Sequence, residues 1–164
     1  MLPLVASLVL TLAQAPAGDS GIVHAKGKVF QAEVAREPRE QARGLMFRNS
    51  LAADRCMIFV YPEDGQHGIW MKNCRISLDV VWTTAEGAVV EIVEGAPPCS
   101  PMLGDNCPTY GGNVMSRIFV EFPVGTVKRL GLKKGDRLGW ELSYADGGKE
   151  KGGLLPKSPA PRKK

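Results

Sequence analysis

The chain has 164 residues, of which 44% are hydrophobic and 23% are charged, so it is long enough for one domain with an apolar core. Its formal net charge of +4 comes from residues 146–164, where six lysines and arginines stand against two acidic residues. The rest of the chain is balanced in charge, which argues against a nucleic-acid-binding surface on the domain. We therefore expect no nucleic acid among the partners of this protein.

The first fifteen residues have the pattern of a secretory signal peptide. Residues 2–12 form an apolar run, and the small-residue pattern of a cleavage site follows at Ala13-Gln14-Ala15. The run is shorter than the about 20 apolar residues that span a bilayer. A buried N-terminal helix is the alternative interpretation. We predict cleavage after Ala15, export to the periplasm or the medium, a linker over residues 16–27, and no transmembrane segment in the mature chain.

Short strands account for most of residues 28–145. A helix is expected to begin at Pro38, and one helical turn is expected over residues 125–130. Turn-forming residues at 62–68 and 85–87 predict two hairpins, and residues 95–113 are expected to form an irregular loop. This pattern predicts a mostly β protein, a sandwich or barrel with one or two short helices. The predicted strands cover residues 28–35, 56–61, 69–74, 78–84, 88–94, 114–122 and 136–144.

The C-terminal segment, residues 146–164, is rich in glycine, proline and lysine and has little to bury. Such a composition is typical of disordered segments, so we predict a disordered basic tail. It would either contact an anionic envelope polymer or serve only to keep the protein soluble.

Four cysteines in an exported chain predict two disulfides. If the first hairpin is symmetric about Gly65, Cys56 faces Cys74 across the two strands, at a separation that permits a bond. Cys99 and Cys107 lie in one proline-rich loop, which a local bond would order. Their spacing differs from that of zinc sites, so neither a metal nor a cofactor is expected.

The same register places Lys72 beside Trp70 on a largely apolar face. A lysine there must reach water, pair with a carboxylate or line a cavity, and Asp79 is the nearest carboxylate in sequence. Two interpretations stay open. Lys72 and Asp79 either form the charged pair of a pocket, with Arg48 or Tyr110 nearby, or form a structural salt bridge that fixes the order of the strands.

Familiar catalytic signatures are absent from the sequence, including G-x-S-x-G, H-E-x-x-H and a phosphate-binding glycine loop. Glu121 stands between Val120 and Phe122 on a predicted strand, where we expect it to face solvent. With one candidate carboxylate among the distinctive motifs, a two-carboxylate glycosidase is disfavoured.

Most of the chain, from about residue 29 to residue 142, resembles the domain of unknown function family 192. The resemblance rests on G-L-M-x-R at residues 44–48, W-M-K-N at residues 70–73 and L-D at residues 78–79. It implies a compact jelly-roll-like β-sandwich and no established activity. The family usually has glycine at the position of Cys56 and threonine at that of Cys74, which favours a disulfide acquired as a pair. The loop from Cys99 to Cys107 is a common feature of the family.

We expect a monomeric exported module that binds a small polar ligand. The first alternative is an enzyme acting on an envelope polymer, with Asp79 as the base and Lys72 or Arg48 as an electrostatic stabiliser. The second is a purely structural or interaction domain. The residues expected to form the ligand site are Arg48, Trp70, Lys72, Asn73, Asp79 and Tyr110.

Overall fold

The computed structural model describes residues 18–153. The expected signal peptide, residues 16–17 of the expected linker and residues 154–164 of the expected tail lie outside the described residues. The helices are α1 (Pro38–Arg43) and α2 (Thr126–Leu130), with a short 3-10 helix at Pro101–Leu103. The strands are β1 (Ser20–Ala25), β2 (Lys28–Ala35), β3 (Arg55–Gln66), β4 (Ile69–Trp70), β5 (Leu78–Thr83), β6 (Val89–Ala96), β7 (Thr109–Tyr110), β8 (Met115–Pro123), β9 (Leu138–Ser143) and β10 (Lys149–Gly153).

Eight strands form one curled sheet in the order β10-β9-β1-β2-β3-β8-β5-β6. Strands β2 and β3 run parallel, and the other neighbours are antiparallel. The sheet bends into a half-barrel, and backbone bonds from Val89 to Asp136 and from Leu138 to Gly87 link the β5–β6 turn to the start of β9. The predicted class, a mostly β sandwich or barrel with short helices, is confirmed.

Both faces of the central strands are buried. Because side chains alternate along a strand, β3 and β8 contribute Ile58 and Val120 to an inner core and Phe59 and Phe119 to an outer core. The outer core is covered by the chain that follows α1, by the chain around Met71 and by the small β4–β7 sheet. Burial on two faces explains the continuous apolar run of residues 56–60.

The domain extends beyond both of its predicted boundaries. Strand β1 lies within the expected linker, where Val23 and Ala25 are buried in the inner core between β2 and β9. Strand β10 lies within the expected disordered tail and pairs with β9, and Lys151 forms an ion pair with Glu141. Strand β1 adds buried side chains to the inner core, whereas β10 is ordered by pairing of its backbone with β9, and the composition of the two segments reveals neither contact.

The first predicted hairpin does not form. Residues 62–66 continue β3 instead of turning, and a bulge between Val60 and Gly65 lets the strand keep its pairing with β8. Strand β4 pairs with β7, where Ile69 lies opposite Tyr110. The second predicted hairpin, formed by β5 and β6, is confirmed.

The predicted Cys56–Cys74 disulfide is wrong. Cys56 is buried in the inner core, whereas Cys74 packs against the outer core, so the sheet separates the two free thiols. The predicted Cys99–Cys107 disulfide is confirmed, with 5.8 Å between the two Cα atoms. One bond therefore orders the loop ahead of β7.

Candidate functional site

Lys72 has a different partner from the one expected. Its ammonium group bonds to the carboxylate of Asp105 and lies 5.1 Å from the ring centroid of Trp70. This contact lowers the pKa of Asp105, because the ammonium group stabilises the ionised carboxylate. The predicted neighbourhood of Lys72 and Trp70 is thus present, without Asp79.

Asp79 has a structural role that neither interpretation of the sequence included. Its Oδ1 accepts the N–H of Gly95 at 2.9 Å, and its Oδ2 accepts the N–H of Val127 at 2.8 Å. The carboxylate is buried and ties β5 to β6 and to the first turn of α2, whose own N-cap is Gly125. The predicted pairing of Asp79 with Lys72 is wrong, and with both oxygens bonded to backbone donors Asp79 is not placed to act as a base.

The remaining predicted residues are dispersed. Arg48 donates to both carboxylate oxygens of Glu33, at 3.0 and 2.5 Å, and lines a different cavity from Lys72. Asn73 has a left-handed φ of 57°, and its carbonyl accepts the N–H of Phe47 at 2.8 Å. Tyr110 packs against the outer core. The six residues therefore do not converge on one pocket.

Lys72 and Asn73 line an open cavity of about 370 Å³, which we call the Lys72 cavity. Phe47, Asp105 and the Cys99–Cys107 disulfide also line it. Lys72 and Asp105 pair with each other, and the exposed Arg75, which donates to the side-chain amide oxygen of Asn49, adds a positive charge to the lining.

The expectation that Glu121 faces solvent is wrong, because its carboxyl group is buried. The residue lies on the outer face of β8, opposite Met57 of β3 and Val80 of β5, and only 6% of its surface is exposed. Its Oε2 atom is buried and has no hydrogen-bond partner among residues 18–153. Unpartnered buried polar atoms are rare in folded proteins, so this atom requires an explanation.

Burial raises the pKa of Glu121 to about 8, because the ionised carboxylate would lose its hydration without gaining a compensating partner. At neutral pH the side chain is therefore mainly a neutral carboxylic acid. Such a group can release its proton when a ligand brings a positive charge or a hydrogen-bond donor.

Glu121 lines a cavity of about 100 Å³ on the outer side of the sheet, which we call the Glu121 cavity. Its aromatic lining comes from Phe59, Tyr61, Trp70 and Phe119. Trp70 is 43% exposed, so the cavity lies close to the surface on that side. Since a water molecule occupies about 30 Å³ in the liquid, the space suits a few waters or the head group of a small ligand.

Gly44 keeps the space beside the carboxyl open. It follows α1 with a φ of 45°, in the left-handed region that favours glycine. A Cβ atom there would lie 3.2 Å from Cζ of Phe59 and 4.0 Å from Oε2 of Glu121. The glycine of the G-L-M-x-R motif therefore shapes the wall of the Glu121 cavity.

Two further proton-bearing groups line the Glu121 cavity. Burial, and then the nearby Glu121, raise the pKa of Cys74 to about 11 and raise the pKa of Tyr61 above its usual value. The ring of His67 stacks on Tyr61 with centroids 3.5 Å apart, and burial lowers its pKa. Within residues 18–153, the lining thus combines aromatic walls, the thiol of Cys74, the hydroxyl of Tyr61 and the exposed Arg43 with a carboxyl oxygen that has no partner.

The sequence does contain a signal for this site. Residues 118–122 read Ile-Phe-Val-Glu-Phe, which is continuously apolar except for the acid and does not alternate. Such a run is typical of a strand buried on both faces, so an acid within it cannot face water.

Among residues 18–153, no group of three or more His, Cys, Asp or Glu could hold a metal ion. In the same part of the chain, no helix is long and apolar enough to cross a bilayer.

Two solved structures resemble the chain. The first, a protein of Sinorhizobium meliloti 1021 provisionally described as a transcription regulator, is 31% identical with a TM-score of 0.62, over 74% of this chain and 91% of its own. The second, a protein of unknown function from Novosphingobium aromaticivorans DSM 12444, is 30% identical with a TM-score of 0.63, over 73% of this chain and 82% of its own.

No curated protein sequence matches the chain significantly. The model of the DUF192 family, described as Uncharacterized ACR, matches residues 21–140. The match includes Gly44, Trp70 and Glu121, which line the Glu121 cavity. The chain therefore belongs to the DUF192 family of uncharacterised proteins.

Proposed function

We propose that this protein binds a small ligand in the Glu121 cavity. The observation that carries the proposal is the buried Oε2 of Glu121, which lacks a hydrogen-bond partner in the described part of the chain and belongs to a side chain that lines the cavity. Leaving a buried polar atom unpartnered costs about 1–3 kcal/mol. A ligand that donates to this atom would remove the cost, which explains why a folded protein would retain such a residue.

The proposal keeps the binding function expected from the sequence but places the ligand site at Glu121 instead of at Lys72 and Asp79. Trp70 lines the Glu121 cavity as well as contacting Lys72, and Glu121 takes the acidic role that Asp79 was expected to have. Cys74 lines both the Glu121 cavity and the Lys72 cavity, so the two spaces are neighbours. A longer ligand could contact both.

An enzyme is the second candidate function, because the pKa of Glu121 near 8 suits a general acid or base at neutral pH. In this case Glu121 replaces Asp79 as the proton-transferring residue. Turnover that Glu121→Gln abolishes and Glu94→Gln retains would support catalysis. Binding without chemical change of any bound compound would leave the protein a binding module.

The binding proposal is tested by recording amide and indole NMR spectra of the mature protein against a library of compounds of a few heavy atoms. We expect binders to shift the signals of Gly44, Tyr61, Trp70 and Cys74, because these residues line the Glu121 cavity. The shifts should disappear in Glu121→Gln and remain in Glu94→Gln, which removes an exposed carboxylate of β6.

Lys72→Ala provides the second comparison. Binding that requires Lys72 but not Glu121, with shifts confined to Phe47, Asn73 and Arg75, would place the site in the Lys72 cavity and contradict the proposal. A library without any binder would also count against it.

We further propose that the protein works outside the cytoplasm, and the Cys99–Cys107 disulfide supports this location. In protein that is alkylated on isolation from its native source and then unfolded, we expect Cys56 and Cys74 to be the free thiols and Cys99 to be joined to Cys107. Four alkylated cysteines would contradict both the disulfide and the location. A bond between Cys56 and Cys74 would contradict the fold.

A further inference from the structure

We propose that the ligand of the Glu121 cavity carries an ammonium group with at least one N–H. The ammonium group would donate to the carboxylate of Glu121, and the attached carbon chain would lie against Phe59, Tyr61 and Trp70. This inference rests on the proposed function and names the chemical class of its ligand.

The charge around Glu121 supports a cationic ligand. Burial alone accounts for the raised pKa of Glu121, without a compensating effect of a nearby lysine or arginine among residues 18–153. Arg43 lines the same cavity, but it is exposed at the end of α1. The charge that would stabilise an ionised Glu121 is therefore missing from the described part of the protein, and a ligand can supply it.

The lining supports the same class of ligand. Phe59 and Phe119 stack with ring centroids 4.3 Å apart, and both belong to the wall of the cavity together with Tyr61 and Trp70. Aromatic rings accept apolar carbon chains and also attract cations. The indole of Trp70 already has the ammonium group of Lys72 at 5.1 Å, so this ring has a cation near it in the protein itself.

Charge and hydrogen bonding together distinguish an ammonium group from other ligands. A carbonyl or carboxylate ligand could accept a hydrogen bond from neutral Glu121, but it would leave the acid protonated and supply no positive charge for the ionised form. A quaternary ammonium group brings charge without an N–H and cannot donate to the carboxylate. An ammonium group with N–H bonds supplies both the charge and the donor.

Binding of such a cation is coupled to the protonation of Glu121. Because the neutral acid predominates near pH 7 and the cation favours the carboxylate, binding should release a proton from Glu121 to the solvent. The other titratable residues in and beside the cavity are not expected to gain or lose a proton when the cation binds. Tyr61 and Cys74 have raised pKa values and stay protonated, and the pKa of His67 beside Tyr61 is lowered so that it stays neutral.

The test is calorimetry of the mature protein at pH 7 in two buffers of different ionisation enthalpy. The probes are butylammonium, tetramethylammonium, 1-butanol and butyrate, which separate charge and N–H donors from size. We expect butylammonium to bind most tightly and to release close to one proton per molecule bound. Its affinity should fall about tenfold or more in Glu121→Gln and stay unchanged in Glu94→Gln.

Each contrary result overturns the inference. If 1-butanol or butyrate binds in a manner that requires Glu121 and butylammonium does not, the ligand class is wrong while the proposed binding function stands. Equal binding of butylammonium to Glu121→Gln, or binding without proton release, would show that Glu121 is not its partner. If none of the four probes binds and the wider library also yields no binder, the proposed function fails as well.

Discussion

Glu121→Gln should be more stable than the wild-type protein at alkaline pH, and the difference should grow by roughly 1 kcal/mol per pH unit between about pH 5 and pH 8. The reason is that the glutamate has a pKa of about 8 in the folded protein and its ordinary value of 4.5 in the unfolded chain. Between these values the folded state binds one more proton than the unfolded state, so raising the pH favours unfolding. The stabilisation from the protonated acid is complete below the pKa of the unfolded chain and lost above the pKa of the folded protein.

Urea unfolding of both proteins across this pH range measures the effect. The difference between wild type and Glu121→Gln isolates the one side chain from the other titrating groups, and Glu94→Gln should follow the wild-type curve because its carboxylate is exposed. A difference between wild type and Glu121→Gln that stays constant with pH would contradict the burial of an unpaired acid.

Asp79→Ala is expected to lower the free energy of unfolding by about 3–5 kcal/mol. The substitution removes the acceptor of two backbone N–H groups, those of Gly95 and Val127, in a region closed to water. The first turn of α2 would then begin without a side-chain acceptor, since Gly125 at its N-cap has none. Denaturant unfolding measures the loss directly.

Asp105→Asn is the matched control for this prediction. Asp105 also bonds to a nitrogen, the ammonium group of Lys72, but its side chain is 85% exposed, so its loss should change stability by less than about 1 kcal/mol. A small stability loss in Asp79→Ala, combined with loss of ligand binding while the protein is still folded, would instead restore Asp79 as a site residue.

The two carboxylates show where inference from the sequence reaches its limit. Asp79 stands in a distinctive motif and Glu121 does not, yet Asp79 is held by backbone donors whereas Glu121 lines a cavity. Their roles depend on what covers each face of the sheet, and the covering chain comes from distant segments such as those around Gly44 and Trp70. A local pattern cannot supply that information.

The strands likewise separate into those that local sequence predicts and those that depend on pairing between distant segments. Strand β2, the β5–β6 hairpin and the helical turn at α2 follow from local periodicity and turn residues, and all are present. The hairpin predicted between Cys56 and Cys74 does not form, because its turn-forming residues lie in a bulged stretch of β3. Pairing of β3 with β2 and β8 is non-local, and it buries Cys56 in the inner core, whereas Cys74 lies in the chain that packs on the outer core.

Measuring the pKa of Glu121 is the most direct test of the proposal that a buried carboxyl group forms the ligand site. The pKa is measured by NMR titration of the Glu121 side-chain carboxyl carbon in labelled protein, assigned with Glu121→Gln. The predicted midpoint lies near pH 8 in the empty protein and falls below neutrality when butylammonium is bound. A midpoint near the ordinary glutamate value of 4.5 in the empty protein would contradict the account.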